Sequence, residues 1–217
     1  MDATEEFPAI LLQGAALFPH QLLPLHLFEP RYRRMVDDAL KGDRRFAVGE
    51  AAEGADGAES AGGWATLGRI VSHQALPDGR HLVMLEGEER LQVEAIGRRR
   101  PYPILRAIRR RDGEAGPSDH VATARTLALV ERLLAEATPA EQATTLLPRL
   151  QKLAATHPGR FADAVAGHLV GDADLRARLL ASDDPSRRLG WLLAFLKRQE
   201  IERGLGQGGP GFDPSLN

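Results

Sequence analysis

Apart from one helical stretch at residues 30–41, the apolar residues of this chain switch period between Arg111 and Pro117, and that switch limits the fold more than any other feature. Upstream, they come in short runs closed by proline, glycine or Asp-Gly, with period-two alternation at Leu91, Val93 and Ala95 against Gln92 and Glu94. Period two puts alternate side chains on opposite faces of a strand. Downstream, Val121, Leu127, Val130, Leu133 and Leu134 follow helical spacing over Asp119 to Ala137. A run of strands followed by a run of helices is an α+β pattern, since alternating units would give a parallel sheet instead.

The first half is read as a small barrel or sandwich. Its strands are Ile10 to Leu12, Leu22 to Phe28, Phe46 to Gly49, Ala65 to Leu76, His81 to Glu86, Leu91 to Ala95 and Ile104 to Arg110. Pro77-Asp78-Gly79-Arg80 is a hairpin turn, and Glu88-Glu89 is read as a second turn. One helix covers residues 30–41. Pro30 suits a first helical position because its missing N–H would have no partner there. Tyr32, Met35, Val36, Ala39 and Leu40 form its apolar face, and Gly42 is expected to end it in a left-handed cap. Ala51 to Gly63 is an Ala, Gly and acid insert, expected to be a mobile hairpin loop.

The second half is read as five helices. Thr138-Pro139-Ala140-Glu141 has the form of a capping box, Asp172 is an expected N-cap, and Asp184-Pro185 opens the last helix. From Gly204 onward glycine and proline dominate, and the tail is expected to be disordered. The expected organisation is residues 1–116 as the β-rich module, 117–203 as a helical bundle and 204–217 as the tail.

Composition excludes several functions. The 217 residues include no cysteine, so disulfides, thiolate metal sites and cysteine nucleophiles are ruled out. A net charge of -2 and a pI near 6.4 argue against a surface built throughout for phosphates. The acidic start and the lack of a long apolar run lead us to expect a bacterial-type cytoplasmic protein. Only three basic residues are lysines (Lys41, Lys152, Lys197), and none stands in a Walker loop. Gly204, Gly206 and Gly209 match G-x-G-x-x-G but follow a helix instead of a strand, against what a dinucleotide site needs. No serine lies in a nucleophile elbow. The Asp78-Gly79 hairpin is expected to bring His73 and His81 face to face, yet two imidazoles without a third ligand make a poor metal site. No catalytic residue, cofactor or metal is expected.

Leu23-Pro24-Leu25-His26-Leu27-Phe28-Glu29-Pro30-Arg31-Tyr32-Arg33-Arg34-Met35-Val36 resembles the hallmark of the N-terminal domain of Lon-type ATP-dependent proteases and its stand-alone relatives. Further landmarks follow in order: Leu67 to Val71, Leu76 to Arg80, Leu85 to Leu91, and Pro101-Tyr102-Pro103. The resemblance covers about residues 5 to 200. It implies a PUA-like β pseudo-barrel followed by a helical bundle, and a non-catalytic role in recognising unfolded or tagged polypeptides, with a protease or chaperone as a further partner. The ATPase motor and the peptidase domain of the full protease are absent from the sequence given. His26, Glu29, Arg31, Tyr32 and Tyr102 are the candidate binding residues; Glu29 is expected to accept hydrogen bonds at the helix start and Arg31 to pair with a carboxylate. The alternative is an RNA-binding protein of PUA-like fold using the basic stretch Arg98 to Arg111 with Tyr102. Its rival explanation is a strand edge guarded by positive charge.

Overall fold

A computed structural model describes residues 3–14, 16–53, 59–97, 101–137 and 140–207. The chain is α+β and divides into two compact units, Met1–Gly113 with Asp163–Asp184, and Glu114–Ala162 with Pro185–Asn217. The segment 163–184, assigned to the helical bundle by sequence, therefore groups with the strands.

The first unit holds β1 (Thr4–Leu12), β2 (Leu22–Leu27), α1 (Pro30–Lys41), β3 (Arg45–Glu53), β4 (Glu59–Ala75), β5 (His81–Gly97) and β6 (Ile104–Arg110). Strand order is β2-β5-β4-β3-β1-β6, and β5 also pairs with β6. That last pairing closes β1, β3, β4, β5 and β6 into a ring and leaves β2 outside it, hydrogen-bonded to β5 alone. Only β1 and β3 run parallel. Parallel neighbours need a long crossover, and the stretch containing β2 and α1 supplies it.

Much of both faces of the ring strands is buried. Phe7, Ala9, Leu11, Ala47, Ala65, Leu67, Leu91, Leu105 and Ala107 form one cluster. Their neighbours along the strands, Ile10, Phe46, Val48 and Ile104, join Tyr32, Met35, Val36 and Ala39 of α1 in the other. This explains why the strands look apolar on both phases.

The structure corrects several expectations. Glu88-Glu89 is no turn: β5 runs unbroken for 17 residues, as does β4. Glu88 bonds Arg45 and Arg69 at 2.6 and 2.5 Å, and Glu89 bonds Arg109 at 3.0 Å. Burial pushes the Glu88 carboxyl up, but hydrogen bonds from Arg45 and Arg69 outweigh it and hold its pKa below the usual range. The Ala51–Gly63 insert is extended: Ala51, Ala52 and Glu53 pair with Ala61, Ser60 and Glu59, and residues 54–58 lie outside the described set. Gly42 is not left-handed (φ -104°); the turn after α1 takes that conformation at Arg44 (φ 64°), whose N–H donates to the Ala39 carbonyl.

The later helices are α2 (Pro117–Ala137), α3 (Ala140–Thr156), α4 (Pro158–Leu169), α5 (Ala173–Leu180) and α6 (Pro185–Gln207). Asp172 caps α5 as expected, accepting from the Leu175 N–H at 2.7 Å. The Thr138 capping box and residues 208–217 fall outside the described residues; α6 itself extends past Gly204 to Gln207. In the second unit, Leu129, Val130 and Leu133 of α2 and Leu189, Leu192 and Leu196 of α6 are buried. In the first unit, Arg90 of β5 fastens the segment 163–184. Its guanidinium bonds both Asp163 carboxylate oxygens, Asp112 at 3.3 Å and the Leu180 carbonyl at 3.2 Å. No helix among the described residues is long and apolar enough to cross a membrane.

Candidate functional site

Strand β2 has apolar residues on both phases. Leu27 is buried and Leu23 and Leu25 pack against the cluster beneath α1, whereas Leu22, Pro24 and His26 are exposed. Register sets their neighbours: Leu22 lies opposite Glu86, Pro24 opposite Met84 and His26 opposite Leu82 on β5. Ser72 and Gln74 of β4 lie opposite Met84 and Leu82 in turn. Directly paired residues in an antiparallel sheet share a face. The result is a three-strand surface carrying Leu22 (51% exposed) and Leu82 (39%). Phe28, 62% exposed just past β2, meets His26 edge-on with ring centroids 6.1 Å apart. Val71, 45% exposed, sits at the irregularity in the β4–β5 register. Four of the six large apolar side chains exposed among the described residues thus belong to β2, β4, β5 or the residue after β2.

The same surface ends at a strand edge. Among the described residues β5 is the only strand paired with β2, so β2 is an edge strand. An open edge presents unpaired N–H and C=O groups, and proline is tolerated there because it needs no ladder partner. Pro24 fits that position.

The predicted residues separate into two groups. His26, Glu29 and Arg31 lie at the surface beside Phe28. Glu29 is the residue before α1, but its carboxylate makes no capping bond; it accepts from Arg31 Nε at 2.9 Å instead, and the Arg31 guanidinium lies 4.6 Å from the Tyr32 ring centre. The expected helix-start role of Glu29 is thereby corrected, and the expected partner of Arg31 is found. Tyr32 and Tyr102 are 3% and 2% exposed and belong to the core cluster, with Tyr102 Oη donating to Asp38 at 3.0 Å. Burial gives both rings packing roles in place of ligand contact. Leu22, Phe28, Val71 and Leu82 are not among the residues the sequence nominates, although apolar residues on the outward phase of Leu22 to Phe28 signal an exposed apolar face.

On the opposite phase of β4 and β5, His73 Nε2 and His81 Nδ1 are 2.8 Å apart, and His81 Nε2 lies 3.6 Å from Asp37. No group of three metal-ligating side chains occurs among the described residues. Within the described part of the basic stretch, part of the positive charge meets carboxylates, with Arg111 reaching Glu89 at 4.0 Å. Arg109 bonds Glu5 at 2.8 Å and Glu89 at 3.0 Å, Arg110 bonds Gln92 at 2.9 Å, and Arg106 lies opposite Glu6. The bond to Glu5, then that to Glu89, raises the Arg109 pKa against its burial. Arg98 to Arg100 lie outside the described residues.

A model of the family described as "ATP-dependent protease La (LON) substrate-binding domain" matches residues 6–198. The Lon protease of Roseiflexus castenholzii is 25% identical over 202 residues, covering 91% of this chain and 25% of that protein. The Lon protease of Xanthomonas oryzae is 26% identical, with 88% and 23% covered. The chain thus spans about a quarter of the length of these relatives. Among solved structures, the N-terminal domain of Mycobacterium avium complex Lon protease matches with a TM-score of 0.73 at 16% identity, covering 89% of this chain and 98% of that one. The Lon N-terminal domain protein from Xanthomonas campestris matches with a TM-score of 0.64 at 23% identity, with 88% and 98% covered. These likenesses establish the fold.

Proposed function

This chain belongs to the Lon protease substrate-binding domain family, and from that premise we propose that it is a non-enzymatic module that holds unfolded polypeptide segments on the face built by β2, β5 and β4. The observation that supports this most is the clustering of Leu22, Phe28, Val71 and Leu82, all well exposed, at the edge of the sheet. An extended segment can add to such an edge through main-chain hydrogen bonds while its apolar side chains cover the exposed ones. This chemistry reads exposure of apolar residues instead of one sequence, so folded proteins, which bury theirs, are poor ligands. Its cysteine-free composition is compatible with a reducing cytoplasm, where this reading places it. A Lon-type protease or a chaperone is the partner to which it would pass a segment.

Photo-crosslinking tests the reading. The purified full chain is mixed with unfolded polypeptides carrying a photoreactive group, with folded versions as controls and RNA as competitor. We expect crosslinks to concentrate at Leu22, Phe28 and Leu82 and to resist RNA. Equal labelling by folded controls, or displacement by RNA, would sink it.

A further inference from the structure

A second concavity, of about 260 Å³, lies in the first unit and uses none of the residues of the apolar face. Val48 and Glu50 of β3, Trp64 of β4 and Ala177 and Leu180 of α5 line it, with Arg178 at its rim. The walls are aliphatic and aromatic, with the Glu50 carboxylate as the acidic group among them. Glu50 is half-buried, accepts no hydrogen bond and meets no cation among the described residues. Several carboxylates of this unit are matched, Glu88 with Arg45 and Arg69, Asp163 with Arg90 and Glu5 with Arg109, whereas Glu50, like Glu86, is not; of these two only Glu50 lines the cavity. Glu50 keeps part of its water, and an incoming cation supplies the charged partner that its carboxylate otherwise lacks there. The Trp64 indole lines the same cavity, and an indole attracts positive charge. Arg178 does not make this an anion site, because it is exposed and already engaged.

We propose that this cavity binds an organic ammonium group carried on a short apolar stem, with the charge on Glu50 and the stem against Trp64 and Leu180. The ammonium can come from a free amine or from a lysine side chain of a polypeptide, which has the same chemistry. The inference does not depend on polypeptide capture at the β2 face.

The indole itself reports the binding. The chain has two tryptophans, Trp64 and Trp191, so Trp191→Phe isolates the signal of Trp64. Full-length W191F is titrated at neutral pH with benzylamine, with benzyl alcohol as the neutral counterpart and phenylacetate as the anionic one. A ligand of this size should saturate with a Kd of roughly 1–10 mM. Benzyl alcohol and phenylacetate should bind at least about tenfold more weakly, the discrimination of a charged hydrogen bond. Glu50→Gln should weaken benzylamine by a similar factor at unchanged melting temperature, and Ala177→Met, which fills the space and leaves the charge, should abolish it. An unstructured peptide with one lysine, compared with its acetylated form, identifies the source: tighter saturation by the unmodified peptide than by benzylamine assigns the site to polypeptides, and benzylamine alone assigns it to free amines. The proposal is overturned if benzylamine gives no saturable change, if phenylacetate or benzyl alcohol binds equally well, or if Glu50→Gln has no effect.

Discussion

Gly87 shows what a single missing side chain does here. The backbone of Phe18 to Gln21 crosses directly over β5 at this point. The His20 N–H donates to the Gly87 carbonyl at 2.7 Å, and the Gly87 N–H donates to the Gln21 carbonyl at 2.9 Å. A methyl group at position 87 would collide with the Phe18 carbonyl, which is backbone and cannot swing away. Gly87→Ala should therefore destabilise the protein by about 1–3 kcal/mol, the usual cost of overpacking, read from denaturant midpoints. From sequence, Gly87 beside two glutamates looked like part of a turn. A glycine inside a strand marks close backbone approach equally well, and the partner lay some 70 residues upstream in the chain. Arg90 was similarly illegible. It is 3% exposed and grips Asp163, itself 2% exposed, across 73 residues. Asp163→Ala should cost about 3–5 kcal/mol, because it leaves a buried guanidinium short of its main counter-charge. His73 ties stability to pH. Burial first, then the neighbouring His81 and Arg44, lowers its pKa, against the weaker pull of Asp37. The unfolded chain takes up a proton near pH 6.5 that the folded chain refuses, so stability falls as pH drops below about 6.5. Urea midpoints at pH 7.5 and 5.5 should show that fall, and His73→Gln should flatten it.

At the scale of elements, α1 was legible because its signals are local. Proline at the first position and apolar residues at helical spacing predict Pro30 to Lys41, and Tyr32, Met35, Val36 and Ala39 are buried there. Met35 has no exposed surface, whereas the Arg34 side chain is 59% exposed, 3.3 Å from Asp38. Met35→Ala should cost about 2–5 kcal/mol and Arg34→Ala no more than about 0.5 kcal/mol in denaturant melts. Equal stability of the two variants would refute the packing role of this face. Strand lengths were less legible. The Ala51–Gly63 insert lacks the apolar side chains that mark a strand, yet backbone pairing alone extends the β3–β4 hairpin through it. Five helices after Pro117 follow from their period and caps, but nothing local in Asp163 to Asp184 signals that it packs with the strands.

At the scale of the whole molecule, the account rests on a surface in which solvent meets apolar side chains on three adjacent strands. His26, Glu29 and Arg31 can be nominated from sequence because they sit in a motif. Leu22 and Leu82 cannot, since which phase of a two-sided apolar strand faces water depends on its neighbours. The most direct measurement is the affinity of the full chain for a fluorescently labelled, permanently unfolded polypeptide, compared with the double variant Phe28→Ser and Leu82→Ser. Each large apolar side chain buried on binding is worth about 1.5–3 kcal/mol, so losing two should weaken binding at least about tenfold. Both side chains are exposed in the free protein, so the melting temperature should barely move. Unchanged affinity in a normally folded double variant would contradict the assignment of this face.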